Sequence, residues 1–228
     1  MRICDLHSGD RGLNVTSGPQ EAYLLGWWQA TTRQAKAVVT LADADHGFEC
    51  APLLRSMTEH YAAIATLVRE PGFWRALERN RIRRASAVQE WLRERDGDEW
   101  AELDAYRELL ARETDTDANT TIDNLTKARH QIEQLGSKAV GTYVRYQYFT
   151  HHSHATSETA MPFVSPPDRE CHTCLTDALP LDSPVAEGQA ALILLDTATI
   201  YNGLLGGVWS DELDHLGTMC EPLRRTFG

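Results

Sequence analysis

The chain has 228 residues, 42% apolar and 24% charged, which is enough for one ample domain with its own core. Its formal charge of −11 repels phosphate backbones on average and disfavours broad nucleic-acid binding by charge alone. Five scattered cysteines (Cys4, Cys50, Cys171, Cys174, Cys220) favour reduced thiols and a cytoplasmic location over a disulfide framework.

Residues 1–18 carry Gly9, Gly12 and Gly18 with little periodicity and read as a flexible N-terminal arm without the apolar stretch of a signal peptide. Residues 19–228 read as a single helical domain. Pro19 suits a helix start, with Glu21 in the first turn, and the pattern runs through Trp27 and Trp28 to about Ala44. Pro52 opens a second helix, in which Leu54, Met57, Tyr61, Ile64 and Val68 form an apolar seam. Arg55, Glu59, Ala62 and Thr66 form a stripe nearly opposite, so this helix is expected to pack on two sides. Pro71–Gly72 ends it and starts another through Trp74, Leu77, Ala85, Val88 and Trp91, broken at Gly97. Arg75, Arg79, Arg81, Arg83, Arg84, Arg93 and Arg95 crowd this stretch. Interleaved Glu78, Glu90 and Glu94 make a self-paired, solvated face the expectation.

Trp100, Leu103, Tyr106 and Leu110 mark a further helix, and Ile122, Leu125, Arg129, Ile132 and Leu135 the next, ended by Gly136. Residues 137–154 are rich in Tyr, Val and Phe, which permits a strand, but the spacing of Tyr146, Thr150 and His154 selects a helix. A long loop containing Pro162, Pro166, Pro167, Pro180 and Pro184 follows. Residues 187–208 form a buried helix weakened at its end by Gly203, Gly206 and Gly207, and a short helix at 211–225 caps the bundle. The apolar run at 190–200 is too short for a membrane span and contains Asp196. The predicted fold is all-α, an irregular bundle of six to eight helices with one long proline-rich loop.

Two polar constellations sit in apolar helices, where they cost stability unless their members pair. One is Arg55–Ser56–Met57–Thr58–Glu59–His60, with Arg55 and Glu59 one turn apart. The other is Tyr146, Thr150 and His154, a phenol, a hydroxyl and an imidazole on one slanted face. Each fits either a structural network or the floor of a site. Cys171 and Cys174 are half of a tetrahedral zinc site that His151, His152 or His154 would have to complete. Their proline-rich surroundings suit plain loop thiols, so no metal is assigned. The tryptophans read as packing residues. No Gly-rich phosphate loop and no cofactor motif is present, so no cofactor is expected.

Arg55-x₃-Glu59 followed by Tyr146-x₃-Thr150-x₃-His154 resembles a large family of uncharacterised bacterial helical proteins with an Arg-x₃-Glu helix and a later Tyr-x₃-Ser-x₃-His helix, often with Pro after the His. Here Thr150 stands for Ser and Ala155 for Pro, which keeps the hydroxyl but removes a helix stop. The resemblance spans roughly residues 51–164 and implies a fold and a residue cluster rather than a reaction. That family is similar in style to HEPN domains, helical modules that often act as ribonucleases in toxin and defence systems and carry Arg-x₄₋₆-His. Arg55-x₄-His60, Arg145-x₅-His151 and Arg145-x₆-His152 fit the spacing, and Ser56 supplies the polar residue that usually follows the arginine, whereas Tyr146 does not. By that resemblance Arg145 and His151 would act on RNA, commonly across a homodimer interface.

Three readings stand. The first is a HEPN-like ribonuclease or defence protein, with His151 or His154 as base and Arg145 or Arg55 steadying phosphate. The second is a small-molecule enzyme or binder with Glu59, Tyr146 and His154 in a bundle cavity. The third is a non-catalytic interaction protein whose polar cluster is structural. The candidate residues are therefore Arg55, Glu59, Arg145, Tyr146, Thr150, His151 and His154, and the partners an RNA or a small-molecule ligand, without a membrane.

Overall fold

Helix α1, Pro19–Asp43, begins where proline is tolerated best, with Glu21 facing the positive end of the helix dipole. The computed structural model describes residues 19–81, 83, 84, 108, 124–154, 164–165, 174–175 and 181–227. Leu24, Trp28, Thr31, Ala35, Val38 and Ala42 recur every three or four positions and bury one face of α1. The helix ends in a Schellman motif: the His46 N–H donates to the Leu41 carbonyl at 2.8 Å and the Asp45 N–H to that of Ala42 at 2.9 Å. Asp45 takes the left-handed conformation (φ 61°), which its short polar side chain tolerates.

A 3₁₀ turn, Phe48–Cys50, leads into α2, Ala51–Arg69, with Pro52 in its first turn. Helix α2 packs against α1 on one side and against later helices on the other. Leu54, Met57 and Ile64 are fully buried, and so are Ala62 and Thr66 on the opposite stripe, as two-sided packing requires. The Thr58 and Thr66 hydroxyls donate to the Leu54 and Ala62 carbonyls at 2.8 Å, so neither needs a partner beyond the helix. Cys50 lies with its Sγ 3.4 Å from the His46 carbonyl oxygen, and burial pushes its thiol up to about 11. After the Pro71–Gly72 turn, residues 73–81 form α3, anchored by buried Phe73 and Ala76. The Tyr23 hydroxyl donates to Glu78, joining α3 to α1.

Helix α4 is Ala128–Glu133, shorter than the stretch expected from Ile122. Leu125 is buried in a turn before it, its carbonyl accepting from Gln131 Nε2 at 2.7 Å. Gly136 (φ 63°) reverses the chain, and a 3₁₀ turn, Gly136–Lys138, continues into α5, Ala139–His151. Residues 137–154 are thus helical through most of their length, not extended. Within the proline-rich stretch, Val164–Ser165 pairs antiparallel with Cys174–Leu175, in register Val164 to Leu175 and Ser165 to Cys174.

Helix α6, Ser183–Leu204, starts earlier than the sequence suggested. The Asp182 carboxylate caps it by accepting from the Val185 N–H at 3.0 Å, and Pro184 belongs to its first turn rather than to the loop. Gly47 makes this start possible, since a Cβ there would lie 2.4 Å from the Asp182 carbonyl carbon. Helix α6 is apolar on nearly every side and packs on both α1 and α2. Trp28 of α1 stacks on its Tyr201, ring centroids 5.1 Å apart. Gly206 and Gly207, both at positive φ, turn the chain into α7, Ser210–Phe227, which packs on α6. The Asn202 side chain braces that turn by accepting from the Trp209 N–H at 2.8 Å.

The molecule is an all-α bundle of seven helices among the described residues, with α2 at its centre, touching α1, α4, α5 and α6. One charge is deep inside. Asp196, 5% exposed, accepts from Lys138 Nζ at 2.9 Å and from Arg224 Nη2 at 2.8 Å, tying the start of α5 and the end of α7 to α6. No described helix is long and apolar enough to cross a membrane. The arm at 1–18, the helix expected around Trp100–Leu110 apart from Glu108, and Cys171 lie outside the described residues; of Cys174 only the backbone is described.

Candidate functional site

The two constellations meet at Arg55. Its Nε donates to Glu59 Oε1 at 3.2 Å, one helical turn along α2. Its Nη1 lies 2.5 Å from Nε2 of His154, ninety-nine residues further on. Its guanidinium carbon also stands 5.8 Å from the centre of the Tyr146 ring. One planar cation therefore touches an acid, an imidazole and a phenol. Since Arg cannot accept, the Arg55–His154 contact requires an unprotonated Nε2, with the ring proton on Nδ1.

Helix α5 places these groups unequally. Tyr146 faces α2. The Thr150 hydroxyl donates to the Tyr146 carbonyl at 2.7 Å and is engaged by its own helix. The helix stops at His151, and His154 reaches Arg55 from the bend that follows. Arg145 turns the other way. It donates to Thr142 Oγ1 at 3.4 Å and faces Asp196 and Tyr61, and burial pushes its guanidinium below the usual range against the pull of Asp196. His151 is exposed at the helix end. The surroundings of Arg145 and His151 therefore differ within one chain, while Arg55 and His154 are in contact.

The N-terminal constellation splits in the same way. Met57 and Thr58 are core residues. Ser56 and His60 face α1, where Ser56 Oγ accepts from Gln34 Nε2 at 2.8 Å and His60 Nδ1 is 3.4 Å from the Thr31 hydroxyl. Burial lowers the His60 pKa, which keeps that ring neutral near neutral pH. Arg55 and Glu59 open onto a cleft of about 850 Å³, which His60 also lines.

Three more cations line this cleft: Arg83 and Arg84, helical residues that follow 73–81, and Lys127 just before α4. Glu59 is the one carboxylate among the described lining residues, which give the cleft a locally positive lining on a chain of net charge −11. Trp27 forms one wall and Tyr146 another. Such a lining suits a phosphate-bearing ligand. Sequence reasoning missed Arg83, Arg84 and Lys127 as site residues and took Trp27 for packing alone. The arginine crowding was visible, but which of its members face a cleft depends on how α3 lies against α1 and α2. Among the described residues no group of three or more His, Cys, Asp and Glu side chains could hold a metal ion.

Fold and cleft define an all-α bundle with a cation-lined, aromatic-walled cleft opening at its surface. The chain belongs to a family of unknown function, DUF5677, whose model matches residues 21–170. The match reaches further than the 51–164 inferred from the motifs, because it takes in α1, which supplies Trp27 to the cleft wall. No curated protein and no solved structure matches the chain.

Proposed function

We propose that the cleft handles a phosphodiester, and that the chain is a HEPN-style ribonuclease acting at Arg55, Glu59, Tyr146 and His154 rather than at Arg145 and His151. The observation that carries this reading is the triple contact of Arg55 with Glu59, His154 and Tyr146 beside a cation-lined cleft. Cleavage of RNA by its own 2′-hydroxyl needs a base, a proton donor and a cation at the phosphate. The incoming phosphate would draw Arg55 away from His154 and free the Nε2 lone pair. His154 then takes the 2′-hydroxyl proton, O2′ attacks phosphorus, and the bond to O5′ breaks. The Tyr146 hydroxyl gives O5′ its proton and recovers one from His154 through solvent. Glu59 keeps Arg55 aimed at the phosphate. The products are a 2′,3′-cyclic phosphate and a 5′-hydroxyl.

The test is cleavage of end-labelled single-stranded RNA by the purified chain, with the new ends identified. The expected result is cyclic phosphate ends and a rate lower by about 10²–10⁴-fold in His154→Ala, the usual worth of a positioned base. Absence of cleavage by the wild-type chain refutes the nuclease assignment. A second reading is favoured by the cleft's size, which falls within the roughly 300–1,000 Å³ of small-ligand sites. On that reading a nucleotide-sized molecule binds at Arg55 without being cut, and Arg55→Ala loses binding while no variant changes any RNA.

A further inference from the structure

Trp27 lines a second hollow. A pocket of about 420 Å³ between α1 and α3 shares this residue with the cationic cleft and has Tyr23 and Gly26 among its other walls. Tyr23 and Trp27 stand one turn apart with ring centroids separated by 5.3 Å, so the pocket carries two aromatic surfaces. Glu78 and Arg81 add polar groups to this lining. They are paired, with Arg81 Nη2 2.8 Å from Glu78 Oε2, and Glu78 also accepts from the Tyr23 hydroxyl. The carboxylate is thereby fixed in place, with acceptor and donor groups side by side.

An apolar pocket with two aromatic walls and a polar edge, sharing Trp27 with a cation-lined cleft, has the chemistry of a nucleotide site divided into base and phosphate halves. We propose that this pocket is the nucleobase subsite of the Arg55 site: the base stacks on Trp27 with Tyr23 beside it, its edge meets Glu78 and Arg81, and its phosphate lies in the cleft. The inference rests on the phosphate reading of the cleft and adds the substrate class, a nucleotide unit recognised by its base as well as by its charge.

Gly26 allows a clean test. A Cβ at this position meets no atom within 4 Å, so a side chain can start here without strain and extend into the pocket that Gly26 lines. In mid-helix, replacing glycine also removes a residue of low helix propensity. Gly26→Leu should therefore fill the slot and leave the melting temperature unchanged or higher. The measurement is calorimetric binding of AMP and of ribose 5-phosphate, which carries the same phosphate and no base. The wild-type chain is expected to bind AMP roughly tenfold more tightly, within the range of one base stacked on aromatic side chains. Gly26→Leu should abolish that advantage while ribose 5-phosphate binds as before. Equal affinity for the two ligands in the wild-type chain, or an AMP advantage that survives Gly26→Leu, overturns the base subsite and leaves the cleft standing. Binding of neither ligand overturns the cleft reading and the subsite together.

Discussion

Replacing Arg55 by alanine is expected to cut RNA cleavage by about 10²–10³-fold, the usual cost of removing one preorganised donor from a developing charge. The loss should far exceed any effect on folding. Arg55 and Glu59 retain 25% and 37% side-chain exposure, so their pair contributes at most about 1 kcal/mol after solvent screening. In a chain of this size that corresponds to a fall of no more than about 4 °C in Tm. Arg55→Lys should recover only part of the activity. An ammonium keeps the charge but lacks the planar fork that reaches Glu59 and His154 at once. Cleavage rates and thermal melts on the same samples separate the two effects. A large fall in Tm with matching loss of activity would mark Arg55 as a strut of the bundle.

The largest expected loss of stability lies elsewhere, at Trp28. This side chain is fully buried and connects three elements. It leaves α1, stacks on Tyr201 of α6, and lies 6.4 Å from Trp209 in the turn before α7. Trp28→Ala removes the stacking and opens a cavity that the surrounding helices cannot close without moving together. The expected cost is about 3–5 kcal/mol, a large share of the roughly 5–15 kcal/mol that holds a domain folded. Urea denaturation should show the midpoint falling with little change in slope. A loss under about 1 kcal/mol would mean that α1 and α6 do not meet through this ring. The neighbouring Trp27→Ala should cost less, because Trp27 is only partly buried and spends one face on the cleft.

Much of the fold was legible because its helices announce themselves locally. Pro19 and Pro52 start helices where proline fits, and the seam of Leu54, Met57, Tyr61 and Ile64 is buried as its spacing implies. The errors lie at boundaries. Leu125 fits the helical period but sits in a turn closed by the Gln131 side chain, a bond between a side chain and the backbone that periodicity does not register. Pro184 was counted with the loop although Asp182 two residues before it is a ready N-cap. The paired dipeptides Val164–Ser165 and Cys174–Leu175 are too short for any pattern to reveal.

The candidate site was legible in half. Arg55 and Glu59 meet because they are one helical turn apart, which the sequence states directly. His154 was assigned to a helix that ends three residues earlier, yet it reaches Arg55 from the bend. Arg145 looked equivalent to Arg55 by motif. It lies instead half-buried in the field of Asp196 on α6 and Tyr61 on α2, and such long-range neighbours leave no local trace. The cationic lining supplied by Arg83, Arg84 and Lys127 comes from two separate segments, and only their packing unites it.

The most direct test is a double-substitution cycle on Arg55→Ala and His154→Ala, read as RNA cleavage rates. Groups that work as one unit lose their function once, so the double variant should be no slower than the worse single variant by more than a few-fold. Multiplication of the two separate losses would show that the guanidinium and the imidazole act independently, and would contradict a site organised around their contact.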